Sequence, residues 1–311
     1  MNILSRRVRY VEECCLLKRK EGKNMKQICR ICSGESELIH RGTRDNPDID
    51  VFRCKECGTK FLVAAKEIIA DYENGFMYAT NNLKKLSIDE RLKRTDADDK
   101  RRYSMVKDLC VDKKVLDFGC GFGGFLSYIS NVCDCCYGVD LGLEEREYLN
   151  SNGIVCKKTI EQFEEKFDVI TLFHVFEHLE NPEYYLCKFK QYLKPKGLLI
   201  IEVPNAEDAL LDLYDCEAFA DFSYWSAHLF LYTEKSLKKC VTSVGDYECI
   251  LSSQLQRYTL ANHLYWLAKA RPGGHEKWNK LDDDVLNEAY EKKLRENGAC
   301  DTLYMIFRYI M

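Results

Sequence analysis

The run Val115-Leu116-Asp117-Phe118-Gly119-Cys120-Gly121-Phe122-Gly123-Gly124-Phe125-Leu126 constrains this chain more than any other stretch. It reads as a short apolar strand, a glycine-dense turn and the start of a helix. An α/β protein uses that sequence of elements to bring backbone against a cofactor at the carboxyl end of a strand. Gly119, Gly121 and Gly124 also satisfy G-x-G-x-x-G, so the glycines alone fit a dinucleotide site. Asp117 argues the other way, because a carboxylate at the strand tip repels a pyrophosphate and suits a ligand with cationic groups.

A second acid follows at the tip of the next strand, in Tyr137-Gly138-Val139-Asp140. It stands about 20 residues past the glycine turn, where an acid accepts the ribose hydroxyls of an adenosine cofactor. S-adenosylmethionine (SAM) meets both conditions, since it carries an ammonium and a sulfonium and no phosphate. The βα alternation then continues. Strands are expected at Val115–Phe118, Cys135–Val139, Ile154–Cys156, Phe167–Phe173 and Leu198–Val203, with helices between them, as in a parallel, doubly wound sheet. A helix from Thr233 through Val244 leads to a strand near Tyr247–Ser253, and Thr302–Arg308 supplies a last strand. The segment 254–300 between that final pair is too long for a hairpin loop and reads as a functional or interface insertion.

Upstream, Cys29-x-x-Cys32 and Cys54-x-x-Cys57 have the spacing of a four-cysteine zinc ribbon, with Gly34 and Gly58 placed for the tight turns. The expected organisation is therefore a weakly patterned 1–24 (Met25 is a candidate true start), a ribbon over 25–63, a helical linker or cap over 64–112, and the main domain over 113–311. Tyr72, Tyr78 and Tyr103 lie in the linker as packing or acceptor-contacting residues. The other thirteen of the 17 cysteines are scattered through core-like segments of a 311-residue chain, which reads as reduced thiols in a cytoplasm rather than a secreted disulfide scaffold. No signal peptide and no membrane span stand out. A net charge of −4 argues against a nucleic-acid partner.

With these motifs in view, the chain resembles the class I SAM-dependent methyltransferases. The resemblance rests on Val115–Gly123, on Gly138-Val139-Asp140, on Phe167–Leu179 followed by Asn181-Pro182, and on Leu193-Lys194-Pro195-Lys196-Gly197-Leu198-Leu199. It covers roughly residues 114–233. It implies a Rossmann-like sheet of seven strands with the last one reversed. It also implies that Asp117, Gly119, Gly121 and Gly123 contact the methionine part of SAM, that Asp140 with Leu141 takes the ribose side, and that Phe173 and His174 line the cleft. Many relatives hold adenine with an acid after the third strand. Here Lys158-Thr159-Ile160 stands there, leaving adenine to backbone groups or Thr159.

Methyl transfer from a sulfonium needs alignment of the acceptor and, for a hydroxyl, a base. The candidates are His228, which follows the fifth strand in Trp225-Ser226-Ala227-His228, and His174; His178 beside Glu177 reads as a capping or packing residue. An amino-terminal ribbon before this domain also resembles the deoxysugar C-methyltransferases of bacterial surface-polysaccharide pathways. Their Tyr-His-Glu-His type motif is matched here only by His228, which favours transfer to a hydroxyl over C-methylation. In the insertion, Arg257-Tyr258, His263, Tyr265-Trp266, Lys269 and Arg271-Pro272-Gly273-Gly274-His275 interleave aromatics and cations, suiting a sugar ring with a phosphate nearby. The same segment also reads as a helical hairpin packing on a partner subunit, and Leu281–Asn297 as a charged helix forming surface cover or a dimer face. The expectation is a small polar acceptor, sugar-derived or phosphorylated, with quinone-type O-methylation, sugar C-methylation and RNA methylation as alternatives.

Overall fold

The computed structural model describes residues 27–63 and 86–311. The expectations for 1–24, for Met25 as a start and for Tyr72 and Tyr78 lie outside the described residues. The main sheet comprises β4 (Lys114–Phe118), β5 (Cys135–Val139), β6 (Cys156–Lys157), β7 (Phe167–Phe173), β8 (Leu193–Pro204), β10 (Tyr247–Leu255) and β11 (Thr302–Tyr309). Its order is β10-β11-β8-β7-β4-β5-β6. The strands from β6 to β8 pair in parallel, whereas β11 runs antiparallel to both neighbours.

The central strands are continuous apolar runs because helices cover both their faces. Val115, Leu116, Ile170 and Leu172 are all fully buried. Two strands differ from the sequence expectation. β8 begins at Leu193 rather than Leu198, because Phe167 pairs with Leu193 and Val169 with Leu198, so an irregularity in the ladder absorbs Lys194–Gly197. β6 is a two-residue edge strand that starts two residues late and ends one residue late, and Ile154 packs beside the core without joining the ladder.

Of the expected linker, residues 88–110 form a single helix, α1 (Ile88–Cys110), opened by a capping box between Ser87 and Glu90. Short helices α2 (Gly124–Ile129) and α3 (Leu143–Ser151) follow β4 and β5; α4 (Pro182–Tyr192) begins with Asn181 as N-cap and Pro182 in the first turn. The stretch after β8 holds α5 (Glu217–Ser223) and α6 (Glu234–Ser243). β10 extends to Leu255, so the insertion proper starts later than 254. It folds as α7 (Leu260–Lys269), a single turn α8 (Gly274–Lys277) and α9 (Asp284–Glu296), shorter than the expected 281–297.

The amino-terminal unit is a small antiparallel sheet of β1 (Ser36–His40), β2 (Val51–Cys54) and β3 (Lys60–Leu62). Its fourth strand, β9 (Phe230–Leu231), comes from the main domain and pairs with β3. Tyr232, the next residue, bridges to Asn205 just past the end of β8. Side chains reinforce the seam. Thr233 Oγ1 donates to the Cys57 carbonyl (2.7 Å), Asp45 accepts from Ser226 N (3.0 Å), and Lys60, almost fully buried, pairs with Asp212 at 2.7 Å. Among the described residues no helix is long and apolar enough to cross a membrane, and no cysteine is in a disulfide.

Candidate active site

The glycine turn leaves β4 in the left-handed region, with φ of 79° at Gly119, 53° at Gly121 and 75° at Gly123. A Cβ on Gly119 would come within 2.3 Å of Val175 Cγ2, and one on Gly123 within 2.4 Å of Leu149 Cδ2, so these two permit close packing. Gly121 is different: a Cβ there meets nothing within 4 Å, and its face of the turn is open. Gly119→Ala is expected to combine backbone strain with that overlap and to lower the melting temperature by about 5–10 °C, measured by differential scanning fluorimetry.

Asp117 is buried, and its Oδ1 accepts from Thr171 Oγ1 at 2.7 Å. Burial pushes its carboxyl up to about 7, so its negative charge is only partly developed at neutral pH. Asp140 closes the other side of the turn. Its Oδ2 accepts from Gly121 N and its Oδ1 from Gly142 N, both at 2.8 Å, while burial pushes the group up to about 6. Each oxygen keeps a further lone pair for a ribose hydroxyl. Leu141, more than a third exposed, follows Asp140. Thr159 caps the turn after β6, its backbone N–H donating to Gln162 Oε1 at 3.2 Å.

At the tip of β7, Phe173 is buried edge-on against Phe125 with the Arg102 guanidinium 4.9 Å above its ring. His174 follows with φ 56°, a left-handed conformation rare for a side chain of this size. The strain aims its ring into a charged cluster. Its Nδ1 lies 3.3 Å from Glu177 Oε1 and its Nε2 3.3 Å from Glu202 Oε1. Glu202, fully buried on β8, is held by Arg101 (2.8 Å) and Arg102 (2.9 Å) from α1, and against the cost of burial His174 and these two arginines keep it well below the usual carboxylate range.

Glu177 is fully buried too, yet neither of its oxygens makes a hydrogen bond. The imidazoles of His178, His174 and His228 face it and hold its carboxyl down at about 2 despite burial. His178 Nδ1 lies 2.7 Å from the Ala227 carbonyl, so that nitrogen carries the proton and Nε2, 3.9 Å from Glu177, is the basic one. The His228 ring centroid is 5.0 Å from that of His178, and its Nδ1 is buried without a hydrogen bond. Burial, with His178 next to it, pushes His228 down to about 3. Glu177, His178 and His228 offer ligand atoms within 4.8 Å of one another, a grouping able to share a proton or hold a cation.

The four cysteines of the two C-x-x-C pairs also converge. Cys29 and Cys57 Sγ are 3.7 Å apart, Cys32 and Cys54 Sγ 3.3 Å, and all four lie within 4.8 Å of one another. Sulfurs about 2.3 Å from a tetrahedral zinc are about 3.8 Å apart, so this donor set fits Zn2+.

Comparison with known proteins then decides the family. A methyltransferase-domain family matches residues 88–246, about half of the chain. The chain belongs to that family. A ubiquinone biosynthesis O-methyltransferase of Glaesserella parasuis is 35% identical over 108 residues, 30% of this chain and 46% of that relative. The match thus spans about half the length of that relative. A protein of the same description from Rickettsia bellii is 25% identical over 227 residues, 69% of this chain and 84% of that one. A solved SAM dependent methyltransferase from Archaeoglobus fulgidus superposes with a TM-score of 0.46 at 19% identity, over 75% of this chain and 99% of that one.

In this SAM-dependent methyltransferase, the residues named from sequence fall into two groups. Asp117, Gly119, Gly121, Gly123, Asp140, Leu141 and Thr159 sit at the carboxyl ends of β4, β5 and β6, and Phe173 and His174 at that of β7. The open face at Gly121 and the spare acceptor capacity of Asp140 fit a SAM molecule there. His228 belongs instead with Glu177 and His178, against the small amino-terminal sheet, where it shares a small cavity with Lys60, Tyr224 and Trp225. Sequence reading missed Glu202, Arg101, Arg102 and Asp98 as site residues. Glu202 left one signal, a lone acid inside an otherwise apolar strand.

Proposed function

We propose that this methyltransferase moves a methyl group from SAM to a hydroxyl oxygen of a small polar acceptor, using Glu177 and His178 to take up the acceptor's proton. The observation that carries the reading is Glu177: a fully buried carboxylate with no hydrogen bond, faced by three imidazoles. An uncompensated buried charge is costly, and here the imidazoles of His174 and His178 stand beside it, at 3.3 and 3.9 Å. SAM supplies an activated methyl, so the protein's task is to align the hydroxyl and receive its proton. His178 Nε2 takes that proton, because Nδ1 is committed to the Ala227 carbonyl, and Glu177 stabilises the imidazolium. His228, the base favoured by sequence, serves better as a neutral neighbour, since a group held near 3 is a weak base at neutral pH.

Several observations bear on the acceptor. A cavity of about 200 Å³ at the start of the insertion is lined by Gln256, Arg257, Tyr258, Thr259, Asn287 and Tyr290, groups that suit a hydroxylated ring such as a sugar. Asp284, Glu288 and Glu291 line it too and disfavour a phosphate inside it. The quinone-type reading is favoured by the relatives, which are described as ubiquinone biosynthesis O-methyltransferases. We further propose that the four-cysteine site holds structural Zn2+, and that the enzyme works in the cytoplasm, a reading supported by its free cysteines.

The test is SAM carrying a labelled methyl, incubated with sugars, nucleotide-linked sugars and catechols. Label on a sugar hydroxyl supports the first reading, label on a catechol alone supports the second, and label on carbon or on RNA removes both. Glu177→Gln is expected to lower kcat about 100- to 1,000-fold while the calorimetric Kd for SAM stays within twofold. Unchanged turnover would assign Glu177 to structure alone.

A further inference from the structure

Glu145 stands on the inner face of α3 with 3% of its surface exposed, and its Oε1 is buried without a hydrogen bond. Its neighbours in sequence point elsewhere. Glu144 pairs with Arg91 at 3.1 Å, and Arg146 Nη1 donates to the carbonyls of Asp140, Leu141 and Gly142. Among the described residues Glu145 itself enters no ion pair. A buried carboxylate left in that condition is costly, and the cost calls for a donor that arrives with a ligand.

Two contacts place Glu145 at the glycine turn. Leu149, one turn further along the same face of α3, fills the space where a Cβ on Gly123 would stand. Gly142, just past Asp140, has an ordinary φ of −69°, so its backbone needs no glycine. A Cβ there would come within 1.9 Å of Glu145 Oε2 and 3.2 Å of Asp140 Oδ1. The missing side chain is what lets two carboxylates stand side by side at the tip of β5. Burial first, and the Glu145 charge after it, raise the Asp140 carboxyl.

We propose that Glu145 is a second carboxylate of the cofactor site, accepting from the ribose diol of SAM beside Asp140; this rests on the SAM reading of the glycine turn. A diol brings two O–H donors. Flanked by two carboxylates, an O–H can be shared between an oxygen of Asp140 and one of Glu145 as a three-centre bond. The Glu145 oxygen that lacks a protein partner thereby gains one from the ligand. Two like charges side by side weaken the apo protein, and the donors of the diol relieve them. Stability is thus given up for affinity at this helix turn.

The experiment compares wild type with Glu145→Met and Glu145→Gln by titration calorimetry and thermal melting. Glu145→Met is expected to raise the Kd for SAM about tenfold. It is also expected to raise the melting temperature of the apo protein by a few degrees, because an apolar side chain of similar length replaces an unpartnered charge. Glu145→Gln keeps an acceptor oxygen and should lose less affinity, about threefold. S-adenosylhomocysteine and its 2′-deoxy and 3′-deoxy forms then locate the contact. The Glu145→Met loss should persist on the parent compound and shrink below about twofold on at least one deoxy form. A Kd for SAM within twofold of wild type in Glu145→Met, a loss of equal size on all three probes, or a lowered melting temperature in both variants would overturn the proposal. Should wild type bind none of these ligands, the SAM reading of the turn falls and the proposal with it; should wild type and Glu145→Met bind alike, the proposal falls alone.

Discussion

Asp140→Ala is expected to raise the Kd for SAM at least 100-fold, measured by isothermal titration calorimetry, with the melting temperature of the apo protein lowered by no more than a few degrees. The carboxylate has two tasks that the substitution removes together. It accepts from the N–H groups of Gly121 and Gly142, which fixes the shape of the cofactor turn, and it keeps lone pairs for the ribose. Charge-assisted hydrogen bonds to the two ribose hydroxyls are together worth about 3 kcal/mol or more, which is a factor of 100 or greater. Burial holds the group up at about 6, so its ionised form is lost as pH falls below that value. Affinity for SAM in the wild type should therefore weaken from pH 7 toward pH 5, and that dependence should vanish in Asp140→Ala. An affinity within threefold of wild type would remove Asp140 from the cofactor site.

The second large effect concerns the ribbon. Cys54→Ser, or prolonged chelation of the wild type, is expected to lower the melting temperature by about 10 °C or more and to abolish turnover. The stability loss follows because the unit around Cys29, Cys32, Cys54 and Cys57 is too small to hold itself by apolar burial. The loss of turnover follows from position. The ribbon supplies the strand against which Phe230 and Leu231 pair, and Asp45 braces Ser226, so His228 and the Ala227 carbonyl that orients His178 both lean on it. Mass spectrometry of the native protein should give one zinc per chain. A metal-free protein that melts and turns over normally would refute the assignment.

Much of the fold could be read before the structure because its signals are local. The apolar runs of β4, β5 and β7 end where glycine or polar residues break them, and both strand-tip acids fall where expected. Expectation and structure part where pairing rather than composition sets the boundary. Lys194-Pro195-Lys196-Gly197 looks like a loop, yet the neighbouring β7 draws Leu193 into the ladder and leaves the polar residues as an irregularity. The site divides the same way. The glycine turn is contiguous in sequence, so its left-handed glycines can be read from their spacing alone. The charged cluster is not, because it assembles from α1, β7, β8 and the insertion. Asp98, Arg101 and Arg102 stand in a helix so rich in charge that nothing distinguishes an inward residue from a solvated one. His178 beside Glu177 reads as a capping or packing residue, and the contact that orients its ring, with the Ala227 carbonyl 49 positions away, leaves no local signal.

The pairing of Lys60 with Leu231 bears on how the molecule is made. A ribosome releases the cysteine knuckles long before it releases the residues that complete their sheet. The nascent amino-terminal unit must wait, with Phe61 and Lys60 uncovered, while most of the catalytic domain is synthesised. Closing so distant a contact is slow and entropically costly, so an early metal ion would serve the chain first as a placeholder, keeping an unfinished edge from pairing with a stranger.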